Sequence, residues 1–245
     1  MSLTAHHLYR DTVSVFRRQF KTLLLLSLFA ALITTILISY SHLPTAQLTE
    51  LFRQIQSSNS AFEYAKNMST EQQRLLLHST AVLTVSMLIG NSLLFGSVFE
   101  MLSSLTQGPQ KSALRCLSGS LSMLPRLFIQ GAIISFLVQL GSVALLLPGL
   151  FLLVLLSLAP IIMLNQKGGI FISIKQSCRL SFQHLRLLAP LILIWFLLKL
   201  MINSVVQGHH LMNEATLALL NNLLCNLLTA FVIIFVYRLH KLIRQ

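Results

Sequence analysis

The chain reads as all-α: a polytopic membrane bundle of six transmembrane helices with three cytoplasmic amphipathic helices. Three observations predict this. Residues Leu124–Leu164 form a 41-residue run whose single charge, Arg126, lies near its start. A spanning helix needs about 20 apolar residues, so the run is long enough for two. The composition is 55% hydrophobic and 10% charged, with a mean hydropathy of +0.76, whereas globular domains carry about 25% charged residues. The 18 Lys and Arg outnumber 6 acids and gather between alternate apolar runs. In a soluble protein a net charge of +12 would suggest nucleic acid. Here the retention of basic loops in the cytoplasm accounts for it, and no nucleic-acid partner is expected.

The elements follow in order. Tyr9, Val13, Phe16 and Phe20 recur at helical spacing, and so do Arg10, Ser14, Arg17 and Lys21; this predicts a short amphipathic helix with a basic side. The first span is 22–40. Its apolar core exceeds a signal-peptide h-region and no A-x-A-like site follows, so it is expected to be retained. The outer loop 41–74 is polar, and its Arg53, Lys66 and Arg74 are matched by Glu50, Glu63 and Glu71. Near its end Ser69 with Gln72 three residues on predicts a capping box. Span two is 75–99. A second amphipathic segment follows, with Leu114, Leu117, Leu121 and Leu124 along one side.

Pro148-Gly149 divides the long run into spans 127–147 and 150–164, since Pro lacks the helical N–H and Gly tolerates a turn. The second arm is short, covering only about 22 Å. The third amphipathic segment has an apolar stripe of Ile174, Cys178 and Leu185 and a basic stripe of Lys175, Arg179 and Arg186. Span five is 188–206, with Pro190 in its first turn, span six is 216–237, and a basic tail ends the chain.

Residues 1–245 thus form a single integral membrane domain. Six spans put both termini on one side. That side carries fourteen Lys and Arg and the other three, so both termini are expected in the cytoplasm. Two bases lie 11 residues apart before a span in Arg10/Lys21, Arg115/Arg126 and Lys175/Arg186. The chain therefore reads as three parallel copies of an amphipathic helix plus a hairpin.

The opening TAHHLYRDTVSVFRRQF, then NMSTEQQRLLL, SALR, LPRLF, LLPG, LAP, RLLAP and the closing LIRQ resemble, in order and over the whole chain, the YciC family of enterobacterial inner-membrane proteins. The resemblance implies a multi-pass protein of the inner membrane of Gram-negative bacteria and carries no biochemical activity with it. The amphipathic helix plus hairpin with a PG turn is also similar to the membrane domain attached to some glycerophosphodiester phosphodiesterases. The phosphodiesterase domain is absent here, so its chemistry does not transfer.

Lys199 is the outstanding candidate residue, because an intramembrane charge is a functional hypothesis by default. It lies seven residues before Val206, so its stem can also snorkel to the headgroups. Asn203 follows at i+4, and span six offers Asn222, Asn226 and Thr229. Two polar stripes on adjacent helices form either a hydrated pocket or interhelical hydrogen bonds. No GxSxG, SxxK, GxGxxG or GxxxxGK[ST] is present, so no enzyme and no cofactor is expected. His210 and Glu214 are i, i+4, a spacing short of a metal signature, and no metal is expected. The basic segments predict the bilayer as partner, with anionic phospholipid headgroups attracted by about 1 kcal/mol per base. The reading is a non-enzymatic, envelope- or lipid-associated membrane protein. The alternative is a small-solute transporter or channel using Lys199, Asn203, Asn222 and Asn226.

Overall fold

A computed structural model describes residues 5–41, 50–51, 53–54, 68–107, 112–144, 146–166, 169–207 and 213–243. The helices are α1 (Ala5–Arg18), α2 (Phe20–Tyr40), α3 (Thr70–Gln107), α4 (Ala113–Leu121) and α5 (Leu124–Ala144). They continue with α6 (Leu146–Leu156), α7 (Ala159–Gln166), α8 (Ile170–Gln183), α9 (Leu185–Gln207) and α10 (Glu214–Ile243). Six stretches are long and apolar enough to cross a membrane: α2, α3, α5, α6 continued by α7, α9 and α10. The architecture is the predicted all-α bundle, with α2 packed between α3 and α10, and α9 against α10.

Helix ends differ from the sequence reading where local chemistry extends them. α3 starts at Thr70, where the predicted capping box forms: the Ser69 N–H donates to Gln72 Oε1 at 3.1 Å and the Gln72 N–H to Ser69 Oγ at 3.3 Å. At its other end α3 runs past Glu100 to Gln107, because Met101, Leu102 and Ser104 are buried where α4 packs on it. Its 38 residues measure about 57 Å, well beyond a hydrocarbon core of about 30 Å. The outer loop also contains helical residues, Glu50–Leu51 and Arg53–Gln54, with Leu51 buried. Residues 42–49, 52 and 55–67, including Pro44, lie outside the described residues.

Pro148 and Gly149 lie inside a helix rather than between two. α6 begins at Leu146, so Pro148 sits in its first turn, where a missing N–H costs nothing. Gly149 serves close packing: a Cβ there would overlap the Ser142 hydroxyl and meet the Ser142 backbone N at 2.9 Å. The second arm is longer than expected, Leu147–Asn165, but broken at Ser157–Leu158. Pro160 cannot donate to the Leu156 carbonyl. The break is stitched by Ser157 Oγ, which donates to the Val154 carbonyl at 2.8 Å, and by Ser177 Oγ of α8, which donates to the Leu155 carbonyl at 2.7 Å. Pro190, by contrast, is not in the first turn expected for it: α9 starts at Leu185, so Pro190 removes the N–H that would bond the Arg186 carbonyl.

All three amphipathic segments are short helices, α1, α4 and α8, and each joins a span through a tight corner at Gln19, Met123 or His184. In each corner the residue four positions on donates its N–H to the corner carbonyl: Leu23 to Gln19 at 2.9 Å, Leu127 to Met123 at 3.0 Å, Leu188 to His184 at 3.1 Å. Those three leucines are buried. Seven positions before each corner stands a fully buried small residue: Thr12, Cys116 and Ser177. This is the repeat in three dimensions. The 11-residue base spacing marks it imperfectly, since Lys21 and Arg186 lie two positions past the corner and Arg126 three.

The structure shows which side of these short helices faces the bundle, a point the apolar stripes leave open. In α8 the buried stripe is Ser173, Ser177 and Ser181, while Phe171 and Phe182 are exposed. In α4 Cys116 and Ser120 point inward, and Leu114 and Leu121 point out. Between helices in lipid there is no hydrophobic drive, and small residues let backbones approach. Small groups therefore face the bundle and large apolar groups face the bilayer.

Candidate polar cavity around Lys199

α9 runs away from the corner at His184, so Lys199 stands about 21 Å along it from Leu185 and about 12 Å short of Gln207. Side chains on a helix lean toward its N-terminus. The Lys199 ammonium accordingly lies over the ring of Trp195, one turn back, 4.4 Å from its centroid. The side chain points toward the bundle interior, the opposite of the snorkelling direction. A central Lys costs roughly 2.5–3.5 kcal/mol on insertion scales, whereas a cation–π contact returns about 0.5–2 kcal/mol. The aromatic face alone does not offset the charge.

The structure brings all four sequence-derived residues, Lys199, Asn203, Asn222 and Asn226, to the wall of one cavity of about 410 Å³. Thr34 of α2, Asn91 of α3, Leu153 of α6 and Asn221 of α10 complete the wall from other sides. The asparagines of α10 do not all pair with α9. Asn222 Nδ2 donates to Thr35 Oγ1 at 3.1 Å and Asn226 Nδ2 to the Ser27 carbonyl at 3.3 Å, both on α2. The contact to α9 is made by Asn221, whose Nδ2 donates to Asn203 Oδ1 at 3.4 Å. Thr229 lies one turn deeper, accepting from Trp195 Nε1 at 3.4 Å. No Asp or Glu is among the described residues of the wall.

Sequence reasoning missed Asn91, Asn221 and Trp195. Trp195 was findable, being i−4 to a lysine that leans back along its helix. Asn91 was not, since nothing in the sequence says which face of α3 turns to the cavity. His209 and His210 lie outside the described residues. Among the described residues no group of three or more His, Cys, Asp and Glu is placed to hold a metal.

A second space, about 330 Å³, runs along α9 from Arg186 to Leu198 and shares Trp195 with the first. It is a groove between α9 and α10 floored by Leu191, Ile194 and Phe231 and bounded by Tyr9, Arg186 and Pro190. α1 closes one side of it: Tyr9 and Phe16 both set their edges against Phe231, at 5.9 and 5.6 Å between centroids.

Residues 1–242 match the family model described as "Uncharacterised protein family (UPF0259)". The chain belongs to this family. It is 37% identical over 253 residues to the UPF0259 membrane protein PC1_1998 of Pectobacterium carotovorum subsp. carotovorum (strain PC1), covering all of both chains. It is 33% identical over 250 residues to UPF0259 membrane proteins of Yersinia pestis (strain Pestoides F) and Yersinia pseudotuberculosis serotype O:1b (strain IP 31758), covering all of this chain and 97% of theirs. No solved structure matches. The family's description assigns no activity, and its relatives come from Gram-negative bacteria. With six apolar helices, the chain is a multi-pass helical membrane protein of this enterobacterial family.

Proposed function

We propose that this is a non-enzymatic protein of the inner membrane, with both termini cytoplasmic, that associates with anionic phospholipid through the end bearing α1, α4 and α8. The observation that carries the reading is the groove at Arg186. An exposed guanidinium and the Tyr9 ring stand at its mouth, and an apolar trough runs down α9 and α10. A charged mouth over an apolar trough is the shape of a phospholipid, phosphate above and chain below. The surroundings support it. Arg10, Arg17, Lys21, Arg115, Lys175 and Arg179 are all exposed on the same short helices or their corners, beside the outward-facing Leu114, Phe171 and Phe182. Bases beside exposed apolar groups suit the boundary between headgroups and chains.

Two measurements test this. Native mass spectrometry of the protein from mixed-lipid nanodiscs should retain phosphatidylglycerol over phosphatidylcholine, and R186Q should reduce that preference about fivefold, one base being worth about 1 kcal/mol near an anionic surface. Equal retention of both lipids would overturn the reading. A reporter fused after Gln245 should be active only in the cytosol, and one inserted between residues 55 and 67 only outside it; the reverse pattern would invert the orientation.

A further inference from the structure

We infer that the cavity around Lys199 is a binding site for an anionic oxygen group, a carboxylate or a phosphate, at the end of the bundle away from α1, α4 and α8. It is distinct from the Arg186 groove, whose charged mouth lies near the start of α9, although both spaces reach Trp195. The wall is contributed by five helices: Thr34 from α2, Asn91 from α3, Leu153 from α6, Lys199 from α9 and Asn222 from α10. A cation placed there would be repelled by the ammonium. An anion would find a charged donor in a medium of low dielectric, where such pairs are strongest.

The neutral groups fit the same ligand. An amide –NH2 has two hydrogens. Asn222 uses one toward Thr35 and Asn221 one toward Asn203, which leaves each a second donor. Trp195 holds the ammonium from below through its π face, a contact that fixes its position without supplying a counter-charge. Met87, Asn91, Leu200 and Asn203 are exposed on the rim, so the site is reachable from the side. An apolar space of about 180 Å³ shares Leu153 and Trp195 with the cavity. It offers a place for a chain attached to the anionic group. A free anion and a lipid headgroup present the same oxygen chemistry here.

Trp195 is the single tryptophan of the chain and lines both this cavity and the Arg186 groove, so its fluorescence reports on both, and R186Q and K199Q tell the two apart. The full protein in phosphatidylcholine nanodiscs is titrated with inorganic phosphate, and separately with rising fractions of phosphatidylglycerol. The expected result is a saturable change in Trp195 emission that is unchanged in R186Q, retained in K199R and weakened about tenfold in K199Q. Saturation by phosphate assigns a free anion, and saturation by phosphatidylglycerol alone assigns a headgroup. K199M, which removes the charge with a side chain suited to lipid, repeats the test should K199Q fold poorly. If neither titrant saturates, or if K199Q and K199M titrate like the unaltered protein, there is no anion site. A change lost in R186Q but kept in K199Q would assign the signal to the other groove and equally overturn the inference.

Discussion

Along α10 the surroundings change half-way. Ala230, Ile234 and Leu239 have no exposed surface, whereas Leu220 and Leu224 are exposed and Asn222 and Asn226 reach across to α2. The same division holds in its neighbours. Leu23, Leu26 and Ala30 of α2, Leu94 and Val98 of α3, and Leu188 and Ile192 of α9 form one buried cluster, all toward the end where the short helices pack. Toward the other end, Ile36 and Tyr40 of α2 and Met201 and Val205 of α9 are exposed, and the space between the helices is the cavity around Lys199. One half of the bundle is closed by three short helices that wedge small residues against the spans. The other half has no such wedges among the described residues and keeps room for polar groups. What holds the closed half is packing, so removing volume there should hurt most. What holds the open half is a handful of hydrogen bonds.

The largest effect is therefore expected from Leu94→Ala, fully buried in the closed half. It should cost about 2–5 kcal/mol, toward the lower end because lipid rather than water surrounds the unfolded reference. Leu200→Ala, on the rim of the open half, should stay within about 0.5 kcal/mol. Denaturation in mixed micelles measures both. Equal losses would erase the distinction between the halves.

Gln130 sharpens the contrast from the opposite sign. It lies in the first third of α5, is 0% exposed, and neither its Oε1 nor its Nε2 has a hydrogen-bond partner. A polar group in the closed half has no cavity to share, and an unpartnered buried amide costs about 1–3 kcal/mol. Gln130→Met keeps the shape and removes the polarity, so it should raise stability by that order. A loss on the same assay would show that Gln130 is bonded in the membrane and that the closed half is wetter than its packing implies.

How far the sequence could have given this division is instructive. The spans were legible because length and hydropathy are one-dimensional properties, and the capping box at Ser69 and Gln72 was legible because its partners are three residues apart. The four polar residues were legible as polar positions in apolar helices. Their partners were not, since Asn222 bonds Thr35 across 187 positions. The inward faces of α4 and α8 were not legible, because apolar-means-buried is a rule for water. In a bilayer Ser173, Ser177 and Ser181 go inward and Phe171 and Phe182 outward, and periodicity alone cannot tell these apart. The distance of Lys199 from the helix end permits snorkelling and does not decide it; the lean of the side chain back toward Trp195 is what places the ammonium.

Asn226 sits at the boundary between the halves, with its Nδ2 on the Ser27 carbonyl. Asn226→Leu removes that bond and should cost about 0.6 kcal/mol, and at most about 1.7, the mean and the largest value for interhelical hydrogen bonds in lipid. Its second consequence is diagnostic. Cys225 also lines the cavity, so with Cys116 and Cys178 replaced by Ser, its rate of alkylation by a water-soluble reagent reports on the open half alone. Loss of the Asn226 bond should raise that rate by loosening α10 from α2. An unchanged rate with lowered stability would place the damage in the closed half.

The smallest effect should come from Asp11→Asn. Asp11 pairs with Arg238 at 3.4 Å and fastens α1 to α10, yet half of its side-chain surface is exposed. An exposed ion pair gains little over solvation and is worth at most about 1 kcal/mol. α1 keeps its hold through Leu8, Thr12, Tyr9 and Phe16. Stability should drop by only a few tenths of a kcal/mol at low salt, and the difference should vanish near 1 M salt, where the screening length is about 3 Å. A loss that persists at high salt would mean that Asp11 is desolvated when the protein sits in lipid. α1 would then be clamped by charge, while α4 and α8 are held by packing, and the three short helices would no longer be equivalent.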